Sequence, residues 1–260
     1  MIKKTALLLL AALVVPAAAL AQVPQQETLE IGTSTNQIAI TSDFSGADLT
    51  VFGAINDADP MLLSKGAYDI VVILEGPKAE ADVRRKERVF GIWVNRETVT
   101  FEHVPRSYSI SSTRPLDEVT TPQALNSAGI GVSHLRISPV GYFGDASDVA
   151  TFREAMLRLN ATEALYDSEP DGVSFVSNSL FRASLRLSVN IPQGTHTVRA
   201  YLFKNGRQIA TETLPLKVVK TGLEARLTVA AHEYPLFYGL GAVAIALFSG
   251  WFASVIFRKS

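Results

Sequence analysis

Residues 181–219 read FRASLRLSVNIPQGTHTVRAYLFKNGRQIATETLPLKVV, and this stretch decides the fold class. Phe181, Ala183, Leu185, Leu187 and Val189 alternate with Arg182, Ser184, Arg186, Ser188 and Asn190. Successive side chains of a strand point to opposite faces, so one face here is buried and the other is wet. Downstream, Asn205-Gly206 separates residues 195–203 from residues 207–219. Both central positions of a tight hairpin turn take positive φ, which Asn and Gly adopt most readily. A two-residue turn sets Leu202 opposite Ile209 and Arg199 opposite Glu212, the latter an expected cross-strand ion pair. Pro215 has no N–H to give a ladder and marks a sheet edge or a bulge.

Working upstream, apolar runs at 29–31, 38–40, 49–52 and 68–74 are separated by Gly32, Gly46, Gly53 and Gly66. β-Branched and aromatic residues dominate them, which predicts an antiparallel meander with residues 43–48 as a hairpin-like connection. Residues 89–101 supply a strand pair around Trp93 and Asn95-Arg96, and residues 108–112 a further short strand. Between 121 and 129 the order Thr, Pro, helix formers and Gly predicts a short capped helix. The stripe Val149, Phe152, Met156 and Leu159 predicts a longer helix over 145–166, with Asp145 as N-cap and a Glu154–Arg158 pair on its surface. Residues 223–229 read as a last strand. Many short strands with regular turn signals define a mainly β chain, an immunoglobulin-like β-sandwich with helical insertions, either one sandwich or two in tandem.

The two ends of the chain have a different character. Met1-Ile2-Lys3-Lys4 precedes an uncharged run and a small-residue stretch closing at Ala21, the pattern of a signal peptide over residues 1–21. Residues 236–257, after Pro235, carry no ionisable side chain, enough to cross a bilayer as one helix. Arg258 and Lys259 follow at once, so the positive-inside bias places the tail 258–260 in the cytoplasm and the body, 22–234, outside. Tyr234, Tyr238 and Trp251 stand near the span's ends, where amphipathic rings favour the headgroup layer. An inner-membrane anchor with a periplasmic body is the expected placement.

The 24 basic and 25 acidic residues nearly balance. All the acids fall in the body while four of the cations fall outside it, which argues against a nucleic-acid surface. With no cysteine, disulfides, thiolate nucleophiles, thiolate metal sites and covalent haem attachment are excluded.

On the segments 38–53 (IAITSDFSGADLTVFG) and 141–145 (GYFGD) the chain resembles an alphaproteobacterial family of transmembrane proteins, over nearly the whole mature length. That family has no established activity, cofactor or catalytic residue to carry over. The resemblance implies a membrane-transport partner, because members of that family are often encoded near permeases that resemble sulfite exporters.

Few constellations carry chemistry. His103, His134, His196 and His232 have no ligand-type spacing, and neither a phosphate-binding Gly-x-x-x-x-Gly-Lys nor a Gly-x-Ser-x-Gly is present. The expectation is therefore no metal, no cofactor and no catalytic residues. Asp43 and Asp48 bracket a glycine turn. Their spacing suits a loop in which Asp bonds its own backbone better than a calcium or acid–base site. Arg84, Arg85, Lys86 and Arg88 are interleaved with Glu80, Asp82 and Glu87, a solvated and locally paired loop or strand end, or a contact for an anionic partner or headgroup. In the span, Ala242, Ala246, Gly250 and Ser254 recur every four residues, a stripe against which another helix can pack.

These features predict a non-enzymatic, membrane-anchored accessory protein. Its expected partners are the bilayer and an integral membrane protein, a sulfite-exporter-like permease or a second copy of itself, with no nucleic acid. The alternative is a ligand-binding or hydrolytic body using Asp43, Asp48 and Asp145, which requires those carboxylates to converge in one pocket.

Overall fold

The computed structural model describes residues 27–141 and 145–257. The expected signal peptide and the tail 258–260 lie outside the described residues. In chain order the elements are β1 (Thr28–Thr33), β2 (Gln37–Ile40), β3 (Ala47–Asn56), α1 (Pro60–Ser64), β4 (Tyr68–Glu75), β5 (Lys78–Val89), β6 (Ile92–Pro105), β7 (Tyr108–Ser112), α2 (Leu116–Val119), α3 (Pro122–Ala128), β8 (Ser138–Val140), α4 (Ala146–Thr162), β9 (Tyr166–Glu169), β10 (Val173–Phe175), β11 (Leu180–Leu187), β12 (Gly194–Lys204), β13 (Arg207–Lys220), α5 (Leu223–Glu233) and α6 (Pro235–Phe257).

Alternation along β11 works as its sequence demands: every second side chain is buried. β11 lies in a four-stranded sheet of order β1-β3-β11-β10, which faces a six-stranded sheet of order β2-β13-β12-β4-β7-β9. Leu49, Val51, Phe181 and Leu185 from the first meet Ile70, Val72, Val198, Leu202 and Leu216 from the second in one core. Phe181 lies across from Gly53, and a Cβ at Gly53 would stand 2.2 Å from its ring. The glycine is the recess that lets a phenylalanine lie flat over the neighbouring strand. The other face of the six-stranded sheet is covered as well: Val71, Ile73, Ile110, Tyr201 and Phe203 pack with Val119, Leu125, Ile130 and Leu135. Burial on both faces explains why residues 70–74 of β4 are an unbroken apolar run rather than an alternating one.

The short helix α3 forms as read, with the Thr121 hydroxyl accepting from the Ala124 N–H at 3.3 Å and Gly129 at φ +69° closing it. Asp145 occupies the N-cap position of α4 without a side-chain hydrogen bond to the helix's first turn. That helix stops at Thr162, earlier than its pattern suggested, because Ala164 turns to φ +53° and the Leu165 N–H reaches back to Asn160 O. Phe152 and Met156 are buried as expected, whereas Leu159 is 56% exposed. Glu154 and Arg158 stay exposed and unjoined.

Several expectations are corrected. Residues 223–229 are helical and belong to α5; their alanine, leucine and glutamate content favours helix once no strand is left to pair with. The 29–75 segment is not a meander, for β1 pairs with β3 while β2 runs parallel to β13. Residues 43–48 therefore cross between sheets and form no hairpin. The expected pairs Leu202–Ile209 and Arg199–Glu212 are displaced: after Lys204↔Arg207 and Phe203↔Gln208 the register shifts, giving Leu202↔Ala210 and Arg199↔Thr213. Ile209 is the extra residue of a bulge, and a one-residue slip redirects every later side chain. The carboxylate that Arg199 meets is on β4 instead, Glu75 at 3.7 Å, diagonal to it in the β12–β4 ladder. Pro215 sits where β13 still has β12 alone as neighbour, since β2 joins only from Lys217.

The strand pair around Trp93 is longer than read. Its turn is Phe90-Gly91, and the basic run 84–88 lies inside β5. The ladder of β4 with β7, ending at Glu75↔Tyr108, continues through Gly76 N–H to Ser107 O and Arg106 N–H to Pro77 O into Lys78↔Pro105 and Ala79↔Val104. Two central strands of the sheet thus run on beyond it as one arm. Near the root α4 covers the arm, with Val83, Val99, Phe101 and Val104 packing on Phe152 and Met156. The Arg85 guanidinium lies 4.8 Å from the Phe152 ring centroid. Between residues 86 and 96 no side chain is buried.

Candidate functional site

α6 at about 1.5 Å per residue is about 34 Å long, enough for a hydrocarbon core of about 30 Å. Over Pro235–Val255 its mean hydropathy is 1.8 and none of it is buried. Leu236, Phe237, Ile245 and Leu247 are each at least 68% exposed, which water would oppose and lipid would not. Ala242, Ala246, Gly250 and Ser254 lie on this helix and are exposed. Around Gly250 an added Cβ would meet no heavy atom within 4 Å. The helix surface is open there to close approach by another helix.

Asp43, Asp48 and Asp145 do not come together in one pocket. Asp43 sits in the crossing turn, where the Thr41 hydroxyl and its own backbone N–H hold its carboxyl below the usual value. Asp145 starts α4. Asp48 alone lines the open cleft of about 540 Å³ at one end of the sandwich, across from Arg186. Its acidic neighbours in that cleft are Glu163 and Asp167, contributed by the junction of α4 and β9. Sequence reasoning missed them because they reach Asp48 only through the packing of α4. No group of three or more His, Asp or Glu side chains is placed to hold a metal ion among the described residues.

A serine–histidine contact, also missed, lies at the arm's root. Ser107 Oγ stands 3.2 Å from His196 Nε2, and His196 Nδ1 stands 3.4 Å from Gly194 O. A neutral ring satisfies both contacts, with Nδ1–H donating to the carbonyl and Nε2 accepting from the hydroxyl. Burial pushes the His196 pKa down, which favours that neutral form. A hydroxyl on an imidazole is the start of a nucleophilic site. Here, however, His196 is 0% and Ser107 6% exposed, and the third partner is a carbonyl instead of a carboxylate. The pair pins the arm to β12. Glu75 ties the same region together through Lys78 at 3.0 Å and Arg199 at 3.7 Å. Tyr166 adds a bond from its hydroxyl to Pro105 O at 2.6 Å.

The basic cluster is a partly paired strand surface. Arg85 bridges Glu97 at 3.0 Å and Asp148 at 3.8 Å, Arg84 meets Asp82 at 3.4 Å, and Arg96 meets Glu87 at 3.5 Å. Beyond it the arm ends in exposed apolar residues: Phe90 is 102%, Ile92 66% and Trp93 69% exposed.

A β-sandwich joined to a C-terminal apolar helix of spanning length, the one candidate span among the described residues, defines a membrane protein. The chain belongs to the family described as "Putative transmembrane protein (Alph_Pro_TM)", which matches residues 28–259. Comparison with curated proteins returns no match. Among solved structures, the chain is similar to AggA, the major subunit of aggregative adherence fimbriae type I from Escherichia coli. Identity is 12% and the TM-score 0.26, over 76% of this chain and 98% of that one. A second similarity is to the N-terminal domain of the Streptococcus gordonii adhesin Sgo0707, at 9% identity and a TM-score of 0.26, covering 76% of this chain and 33% of that one.

Proposed function

We propose that the protein is a non-enzymatic accessory protein of the inner membrane, its sandwich in the periplasm and its C-terminus in the cytoplasm. It contacts an integral membrane partner through α6 and the body. Arg258 and Lys259 directly after the span support that orientation. The observation that carries the reading is α6 itself, a fully exposed apolar helix with a stripe of small residues and no packing on the sandwich core. A transporter, for which the family resemblance suggests a sulfite-exporter-like permease, suits this arrangement, and so does a second copy of the chain. A helix that served only as an anchor would need no smooth face.

The test is crosslinking and co-purification of the full chain from mild detergent, beside Gly250→Leu. Leucine on the stripe is expected to cut recovery of the partner, or of the self-associated form, at least fivefold while the chain stays in the membrane. Unchanged recovery removes the packing face. Release of the chain by alkaline carbonate, or a periplasmic signal from a reporter fused after Ser260, removes the placement.

A further inference from the structure

We infer that the tip of the β5–β6 arm is a second membrane contact, inserted into the headgroup and upper acyl layer of the bilayer that α6 crosses. The inference rests on the placement proposed above and adds to it a site on the folded body.

β13 is antiparallel to β12, and β12 is antiparallel to β4, so β4 and β13 run toward the same end of the sheet. β4 leaves that end as the arm, and β13 leaves it toward α5 and α6. The two exits are adjacent: Gly194 pairs with Val218, and a Cβ on Gly194 would stand 3.2 Å from Pro77 at the arm's root. At about 3.3 Å per residue β5 extends about 35–40 Å. The chain between Lys220 and Pro235, mostly α5, spans at most roughly 35 Å. The arm is therefore long enough to meet the membrane surface at which the span begins.

Chemistry at the tip points to lipid. The turn Phe90-Gly91 has φ of +49° and +87°, a geometry that favours Asn-Gly and disfavours a large side chain in the first position. Phe90 nonetheless stands there with its whole surface open to solvent, so folding gives no reason for the aromatic. Val89 lies across from Ile92 and Arg88 across from Trp93, which sets apolar side chains on one face of the tip and a cation beside an indole on the other. Just behind them, Arg84, Lys86 and Arg96 are exposed. Lys86 has no carboxylate within 4 Å among the described residues. An apolar tip with Trp and Phe, backed by long cationic side chains, matches the layered polarity of an anionic membrane surface. A protein groove would complement the apolar apex, but it would not by itself call for the exposed cations behind it, of which Arg84 and Arg96 also meet Asp82 and Glu87.

The test uses the full chain carrying Trp251→Phe, so that Trp93 is the sole tryptophan, reconstituted in phosphatidylglycerol-containing vesicles. Lipid brominated high on the acyl chain should lower Trp93 emission at least twofold. Phe90→Asp combined with Ile92→Asp should remove most of that quenching, and Lys86→Glu combined with Arg88→Glu should make it at least threefold weaker. Far-UV circular dichroism should be unchanged in both variants. Unquenched emission from a chain that still floats with the vesicles overturns the arm contact alone. Quenching unaffected by either variant overturns it too, as does shielding of Trp93 that appears only in native membranes, which would assign the tip to a protein partner. A chain that fails to float overturns the membrane anchor, a separate result.

Discussion

Residues 68–74 and residues 89–94 lie on one continuous hairpin and draw on similar residue types. Every side chain of the first stretch is buried, and none of the second is. The first is covered on both faces, by the four-stranded sheet and by the segment carrying α2 and α3. On the second, cover ends with α4 near Arg85. Apolar content alone thus does not decide burial; what arrives from elsewhere in the chain does. Where the sandwich uses Val71, Val72 and Ile73 to hold itself together, the arm keeps Phe90, Ile92 and Trp93 for something outside the molecule.

Three measurements bear on that contrast. The largest effect should come from Phe181→Ala, which empties the space over Gly53 in the sandwich core. A loss of about 3–5 kcal/mol is expected in urea unfolding followed by circular dichroism. A loss below about 1 kcal/mol would mean that the sheets are not held by this core. A middle effect belongs to the root of the arm. Because the His196 pKa is lowered in the fold, the unfolded chain takes up the proton first as pH falls. The stability held by the neutral ring is complete above about pH 6.5 and is lost progressively below it. Unfolding at pH 7 and pH 5 should show this loss in the parent and a smaller one in His196→Gln. Equal slopes would remove the role of the buried pair. The smallest effect is expected at the tip: Phe90→Asn should leave stability within about 0.5 kcal/mol or raise it slightly, since Asn suits the turn. A loss above about 1 kcal/mol would show that the aromatic serves the fold after all.

Legibility followed the range of the forces involved. Strict alternation in β11, the Asn205-Gly206 turn and the capped helix α3 could be read because each depends on neighbours in sequence. The arm was legible only in part, as a basic run and a strand pair. Alanines at 79 and 81 give a weak alternation signal, and the shared register with β4 and β7 depends on pairing across the chain. Asp48 was singled out, but Glu163 and Asp167 were not, and the Ser107–His196 pair spans residues that carry no common motif.

By itself the sequence determined that the chain is mainly β and that one C-terminal stretch is apolar enough to cross a bilayer, because periodicity and continuous hydropathy are written locally. Only the tertiary structure decided which strands share a sheet, that a bulge at Ile209 takes Glu212 out of register with Arg199, and that the arm and the membrane helix leave the sandwich at one end. Those outcomes depend on contacts between distant residues, whose energies no single stretch of sequence contains.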